Sequence, residues 1–254
     1  MEFLVSYYTD KGIKKRTNQD GLIMKSIRTN KGRIGLFTVC DGMGGLDKGE
    51  LASATVITHL ADWFDNILPE LITKEDSEII DSLNSHIYKV NSAIVKYSTA
   101  SNIKIGTTLT ALLCIYEKYY IIQVGDSRVY KINNHMEVLT KDQTYVAREV
   151  ERGNLTKEQA KIHPKRNLLL QCIGAKEKVE TVITEGILEK DTIYVICSDG
   201  LYHQISDNEF VEIFNPNNNT TIQRLEETAK SAVKLVMDRR ETDNITALIV
   251  RTRE

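Results

Sequence analysis

Between Gly106 and Leu139 the chain has room for little except antiparallel sheet. Apolar, β-prone runs at 106–116, 119–124, 128–132 and 135–139 are separated only by Glu117-Lys118, Gly125-Asp126-Ser127 and Asn133-Asn134. Parallel neighbours need a crossover of about a dozen residues, so breaks this short join antiparallel strands, and the block predicts consecutive hairpins. Upstream the apolar spacing changes to that of a helix. Glu50 to Leu68 has apolar residues at 51, 54, 56, 57, 60, 61, 63, 64 and 67, and Asp76 to Tyr97 repeats the pattern from Ile79 to Ile94. Strands are expected at 3–8, 22–24, 34–39, 192–197 and 245–250, and further helices at 206–214 and 221–237. Strands in blocks and helices in blocks, without steady alternation, predict an α+β fold whose antiparallel sheets are covered by helices. No repeat or composition shift marks a boundary, so residues 1–254 read as one domain.

Composition narrows the function classes. Of 254 residues, 41% are hydrophobic and 27% charged, which supplies a substantial core. A net charge of −2 with no basic stripe excludes a nucleic-acid binder held by charge. Cys40, Cys114, Cys172 and Cys197 stand singly, which argues for small core residues in a reducing compartment rather than a disulfide framework or zinc ribbon. The N-terminus lacks the pattern of a signal peptide, and no apolar stretch reaches the ~18 residues of a membrane span. A cytoplasmic protein is expected.

The chemistry sits at strand ends. Asp41-Gly42-Met43-Gly44-Gly45 follows the run ending at Val39-Cys40, Asp126 follows 120–124, Asp199-Gly200 follows 192–197, and Asp243-Asn244 precedes 245–250. One Asp-Gly after a strand is an ordinary turn. Four such aspartates, joined by Asp20 from the loop 10–20, could converge on one site. Carboxylates and a glycine carbonyl, with no His or Cys among them, suit hard cations such as Mg²⁺ or Mn²⁺. Two such ions sharing a carboxylate can hold a hydroxide as nucleophile, and a nearby arginine, Arg16, offers a fork matched to phosphate. Beside these readings stand plainer ones. Asp126 could serve a turn, Asp10 reads as loop-structuring, Thr107 and Thr108 as strand formers with local hydrogen bonds, and His163 and His203 as packing or surface residues.

In order along nearly the whole chain, the sequence contains Asp10-x-Gly12-x-x-x-Arg16-x-Asn18-Gln19-Asp20, Asp41-Gly42-Met43-Gly44-Gly45 with Gly49-Glu50-x-Ala52-Ser53, Gly106-Thr107-Thr108, Gly125-Asp126-Ser127-Arg128, Leu139-Thr140-x-Asp142, Cys197-Ser198-Asp199-Gly200-Leu201 and Asp243-Asn244-Ile245-Thr246. This set resembles the PPM family, the metal-dependent protein phosphatases also called protein phosphatase 2C, in its compact bacterial form. The resemblance implies a four-layer α-β-β-α sandwich with a binuclear Mn²⁺ or Mg²⁺ site and hydrolysis of phosphoserine or phosphothreonine in proteins. It implies that Asp41 bridges the two ions and Gly42 gives its carbonyl to one of them, while Asp199 and Asp243 complete one ion's shell and Asp20 binds the other, directly or through water. Asp126 would help hold a third, weaker ion shared with Asp199. Arg16 would bind the substrate phosphate, and about 144–170 would form a flap near the site. The expected partners are phosphorylated proteins, substrates of a Ser/Thr kinase, met by a monomer.

Four departures accompany the match. Gln19 stands where Glu is common, and it can orient a water without adding charge. Gln143 replaces a His, Arg239-Arg240-Glu241-Thr242 replaces a segment often containing Gly-Gly, and Met43 replaces a proposed general acid, leaving that proton to a water. The competing reading is an inactive or narrowly dedicated member that binds one phosphoprotein.

Overall fold

The computed structural model describes residues 1–43 and 48–253. The chain opens with β1 (Glu2–Asp10), β2 (Gly21–Thr29) and β3 (Gly32–Cys40). The helical stretch that follows is α1 (Gly49–Asp62), a widened π-turn at Trp63–Ile67, and α2 (Leu68–Leu71). The widened turn precedes Pro69, which has no N–H to give and whose ring would press on a carbonyl one turn back. After α3 (Asp76–Ser101) come β4 (Leu109–Ile115), β5 (Lys118–Val124), β6 (Arg128–Ile132) and β7 (Met136–Val138). Then follow α4 (Tyr145–Glu151), α5 (Lys157–Ile162), β8 (Val182–Ile187), β9 (Ile193–Cys197), α6 (Asp199–Tyr202), α7 (Asp207–Ile213), α8 (Ile222–Asp238) and β10 (Ile245–Arg253).

Two antiparallel five-stranded sheets result, in the orders β2-β3-β4-β5-β8 and β1-β10-β9-β6-β7. The alternation of strand side chains builds three cores from these two sheets. On β3 and β4, Ile34, Leu36, Leu109, Ala111 and Leu113 face α1 and α3. On β9 and β10, Ile193, Val195, Ala247 and Ile249 face α7 and α8. The intervening residues Phe37, Val39, Leu112, Tyr194, Ile196, Leu248 and Val250 meet between the sheets. This is the expected four-layer α-β-β-α sandwich. Among the described residues no helix is long and apolar enough to cross a membrane.

Three details differ from the sequence expectation. The hairpins β4–β5 and β6–β7 form, but β5 and β6 do not pair: β5 takes β8 as its outer neighbour and β6 takes β9. The chain changes sheets at Gly125-Asp126-Ser127, where Gly125 adopts φ +108°, a backbone region that glycine enters without steric cost. β2 runs to Thr29 instead of stopping near Met24, because pairing with β3 carries its polar half. β8 adds an edge strand beyond those the sequence predicts, since a half-exposed edge strand needs no clear apolar stripe.

Candidate metal centre

Asp20, Asp41, Asp126, Asp199 and Asp243 all come to one end of the sandwich. Asp20 precedes β2 and Asp41 follows β3, flanking the registered pair Gly21–Cys40. In the other sheet Cys197 pairs with Ala247, so Asp199 after β9 and Asp243 before β10 emerge side by side. Asp126 reaches the same end through the β5–β6 turn. The proximity is electrostatically explicit: Asp20, Asp199, Asp126 and Asp243 all act on Asp41.

Asp41 is fixed through its backbone. Its N–H donates to Thr108 Oγ1 (2.9 Å), and its carbonyl accepts from Thr108 N (2.9 Å) and Thr107 Oγ1 (2.9 Å). Thr107 and Thr108 therefore clamp a residue far away in sequence, more than the strand propensity and local bonding read from sequence. Gly42 lies in a gap only glycine fills: a Cβ there would stand 2.4 Å from Gln19 O and 2.6 Å from Gly49 O. Gly44 and Gly45 lie outside the described residues.

A hydrogen-bond relay holds Asp20. Its Oδ2 accepts from Thr246 Oγ1 (2.6 Å) and Ser198 Oγ (2.9 Å). With its proton committed to Asp20, Thr246 accepts from Thr9 Oγ1 (2.8 Å), which accepts from Asn18 Nδ2 (2.8 Å). Neighbouring Gln19 is buried and donates its side-chain amide to Glu50 Oε2 (2.9 Å), while its N–H reaches Asn244 Oδ1 (2.9 Å). Gln19 thus ties the loop to α1 and β10.

The cation in contact with the carboxylates is Lys15. Its Nζ lies 2.7 Å from Asp243 Oδ1, which also accepts from Asn244 N (2.8 Å). Arg16 is exposed and makes no ion pair among the described residues. Sequence reading singled out Arg16 and missed Lys15, because three cations in a row give no sign of which one turns inward. The loop's shape decides it. Asp10 Oδ1 accepts from Gly12 N (2.8 Å), the loop-structuring role expected of it. Gly12 adopts φ +73°, with a Cβ position only 2.2 Å from Asp243 O. Asn244 Nδ2 donates to Lys11 O (2.9 Å) and Thr17 O (3.1 Å), closing the loop on β10. Glu241, given no role of its own by the sequence, accepts from the N–H groups of Thr242 (2.6 Å) and Asp243 (3.0 Å) and so sets the approach to β10.

Asp199 has His203 Nδ1 3.7 Å from its Oδ2, which brings that histidine closer to the site than a simple surface reading implies. His163 packs on Tyr145 in the 144–170 segment, with ring centroids 5.6 Å apart. Asp126 is buried, and its carbonyl accepts from Tyr202 Oη (3.1 Å). Beside it Arg128 forks onto Asp142 (2.9 and 2.7 Å) and lies 3.8 Å over the Tyr202 ring. Gln143 accepts from Gly125 N (2.6 Å), so the side chain that replaces a histidine secures the turn carrying Asp126.

So many carboxylates in one place resist ionisation. Burial pushes Asp20 up to about 7, with Asp199 and Asp243 adding to the rise and the two hydroxyl donors opposing it. Burial, then its acidic neighbours, hold Asp41 and Asp126 well above the usual carboxylate range, and Asp199 is raised in the same way, with His203 opposing. For Lys15, burial alone would lower the pKa; contact with Asp243 and the fields of Asp41 and Asp199 outweigh it and leave it raised.

Among the described residues no three acidic or imidazole side chains close on one point as tightly as the ligands of a bound ion. The donor chemistry nevertheless fits a hard divalent cation. All the converging side chains are carboxylates, and Asp20 Oδ1 and Asp199 Oδ1 are buried oxygens with no hydrogen-bond partner. Buried polar atoms are rarely left unmatched, and a cation is a natural complement to oxygens of this kind.

Fold and site together define a class: a two-sheet sandwich with a carboxylate centre suited to phosphoric monoester hydrolysis. A sequence profile of the protein phosphatase 2C family matches residues 12–237. A putative protein phosphatase 2C-type protein of Streptococcus pyogenes is 34% identical over 249 residues, covering 97% of this chain and 96% of the relative. The serine/threonine phosphatase stp of Listeria monocytogenes is 32% identical over 248 residues, covering 96% and 94%. Among solved structures, the S. agalactiae serine/threonine phosphatase aligns with a TM-score of 0.86 at 29% identity, over 99% of this chain and 100% of that one. The catalytic domain of the serine/threonine protein phosphatase PstP, solved with two manganese ions, aligns with a TM-score of 0.80 at 26% identity over 99% of both chains. The chain belongs to the protein phosphatase 2C family. It is a phosphatase.

Proposed function

We propose that the protein removes phosphate from phosphoserine and phosphothreonine in proteins phosphorylated by a Ser/Thr kinase, using two Mn²⁺ or Mg²⁺ ions. The observation that carries this reading is the convergence of Asp20, Asp41, Asp199 and Asp243 from both sheets, with buried carboxylate oxygens left unmatched. Asp41 is assigned the bridging position and Gly42 a carbonyl ligand, with Asp199 and Asp243 on one ion, Asp20 on the other, and Asp126 on a weaker third. Bound there, the ions supply a nucleophile derived from water at neutral pH and offset the charge of the phosphate.

The chain's own residues do the rest. Thr107 and Thr108 fix the Asp41 backbone, so its carboxylate needs no reorganisation to act. Ser198 and Thr246 favour the ionised form of Asp20 by donating to it. The loop 10–20 brings cations to the phosphate: Lys15 already touches the centre, and exposed Arg16 is free to swing its fork onto the ester oxygens. Hydrolysis forms one P–O bond from water and breaks the bond to the Ser or Thr oxygen, which must gain a proton. Met43 has none to give, so solvent supplies it. Gln19 acts by holding the loop, through Glu50.

The core shared by both sheets supports reading 1–254 as one phosphatase domain, with 144–170 as its flap. The protein is read as a cytoplasmic monomer. Hydrolysis of a phosphothreonine peptide, measured with Mn²⁺ and with excess EDTA, tests the reading. Turnover that needs Mn²⁺ and disappears in Asp41→Asn is expected. A folded protein that binds Mn²⁺ and turns over no phosphopeptide would instead be a binding member of the family.

A further inference from the structure

We propose that the Lys15 ammonium is an internal counter-ion of the carboxylate centre, one that competes with the divalent cation at Asp243 and so sets the metal affinity of the site. The inference rests on reading Asp243 as a metal ligand. Lys15 Nζ sits 2.7 Å from Asp243 Oδ1, and both side chains are about one-third exposed. That oxygen is also engaged by Asn244 N at 2.8 Å, so its two lone-pair directions are taken. A divalent ion on Oδ1 requires the ammonium to leave, and one on Oδ2 would sit within a few ångströms of a full positive charge. The same ammonium lies in the field of Asp41 and Asp199, so its charge bears on the centre as a whole.

The loop makes this contact specific. Gly12 packs against the Asp243 carbonyl, and Asn244 holds the carbonyls of Lys11 and Thr17. Residues 12 to 17 are therefore suspended between two anchors on the approach to β10. Lys14 and Arg16 on either side are exposed and make no ion pair among the described residues. A lysine is suited to such a task because its flexible stem can withdraw the charge without disturbing the loop. In the metal-free protein it tempers repulsion among the aspartates. In the loaded protein, released from Asp243, it stands at the mouth of the centre, where a phosphate arrives.

Calorimetric titration of the full chain with MnCl₂, together with melting in EDTA, tests the idea in Lys15→Met, Lys15→Gln, Lys15→Arg and Lys14→Met. Loss of one nearby unit charge should tighten Mn²⁺ binding about tenfold in Lys15→Met and Lys15→Gln. The same two variants should melt about 2–4 °C lower than wild type in EDTA. Lys15→Arg should stay near wild type in both measurements. Lys14→Met makes the same change in net charge without the contact, and should also leave both unchanged. Unchanged or weaker Mn²⁺ binding in folded Lys15→Met and Lys15→Gln overturns the proposal, as does an equal gain in Lys14→Met. Absence of Mn²⁺ binding in wild type overturns the metal-centre reading and the proposal with it. Wild-type binding that the Lys15 variants leave unaltered removes the counter-ion role alone.

Discussion

Thr246→Val isolates what the hydroxyl relay does for Asp20. Valine keeps the branched shape that β10 requires and removes only the oxygen that donates to Asp20 at 2.6 Å and accepts from Thr9 at 2.8 Å. A hydrogen bond to an ionised group contributes about 1.5–3 kcal/mol, and one pKa unit corresponds to about 1.4 kcal/mol. Asp20 is only half-buried and keeps its Ser198 donor, which favours the lower end of that range. The carboxyl, already pushed up to about 7, should therefore rise by about one further unit. Because a cation binds the ionised form, the pH at which Mn²⁺ binding is half-lost should move up by about one unit. Near pH 7 the ionised fraction, and with it the affinity, should fall roughly fivefold, approaching about tenfold at lower pH. Calorimetry from about pH 6 to about pH 9 measures this directly. In a folded variant, an unchanged midpoint would refute the claim that Thr246 acts through the charge of Asp20. An equal loss of affinity at every pH would do the same.

Three further outcomes are expected. In EDTA the protein should lose stability to urea as the pH rises from about 4 to above 7: Asp20, Asp41, Asp126 and Asp199 have folded-state pKa values above their unfolded ones, so the folded state holds protons the unfolded chain has released, and a flat or rising profile would contradict this. Saturating Mn²⁺ should reverse the trend. Gly42→Ala places a methyl 2.4 Å from Gln19 O, a backbone atom, and should cost about 1–3 kcal/mol in urea unfolding; a wild-type midpoint would show that the loop yields freely. Thr38→Val removes a buried hydroxyl that has no hydrogen-bond partner and should stabilise the protein by about 1 kcal/mol, whereas destabilisation would reveal an unrecognised partner.

Asp41, Asp126, Asp199 and Asp243 are legible in the sequence because each obeys a local rule: an aspartate where an apolar strand begins or ends, with glycine or asparagine beside it. Asp20 is legible only as part of the loop motif 10–20. Lys15 was not legible. Lys14, Lys15 and Arg16 are chemically alike in sequence, and the choice among them depends on Gly12 and on Asn244, more than two hundred residues away. Ser198 and Thr246 lay in plain view within the Asp199 and Asp243 motifs, yet their shared target in the other sheet is a matter of tertiary packing. The change of sheets at Gly125-Asp126-Ser127 is indistinguishable in sequence from another hairpin, because a three-residue break serves either purpose. Only β8 and β9, arriving later, fill the edges that β5 and β6 would have offered each other.

The place of β10 has a consequence for biosynthesis. Residues 21–124 contain four neighbouring strands and can pair while the remainder is still being translated. β1, made before them, has β10 as its only sheet partner among the described residues and must wait for residues 245–253. Asp20 and Asp41 are thus presented early, and their counterparts Asp199 and Asp243 come to rest only as β10 slides between β1 and β9. A stalled or clipped chain that lacks this strand has half a centre and an open seam in one sheet, so phosphatase activity begins only when translation has delivered β10.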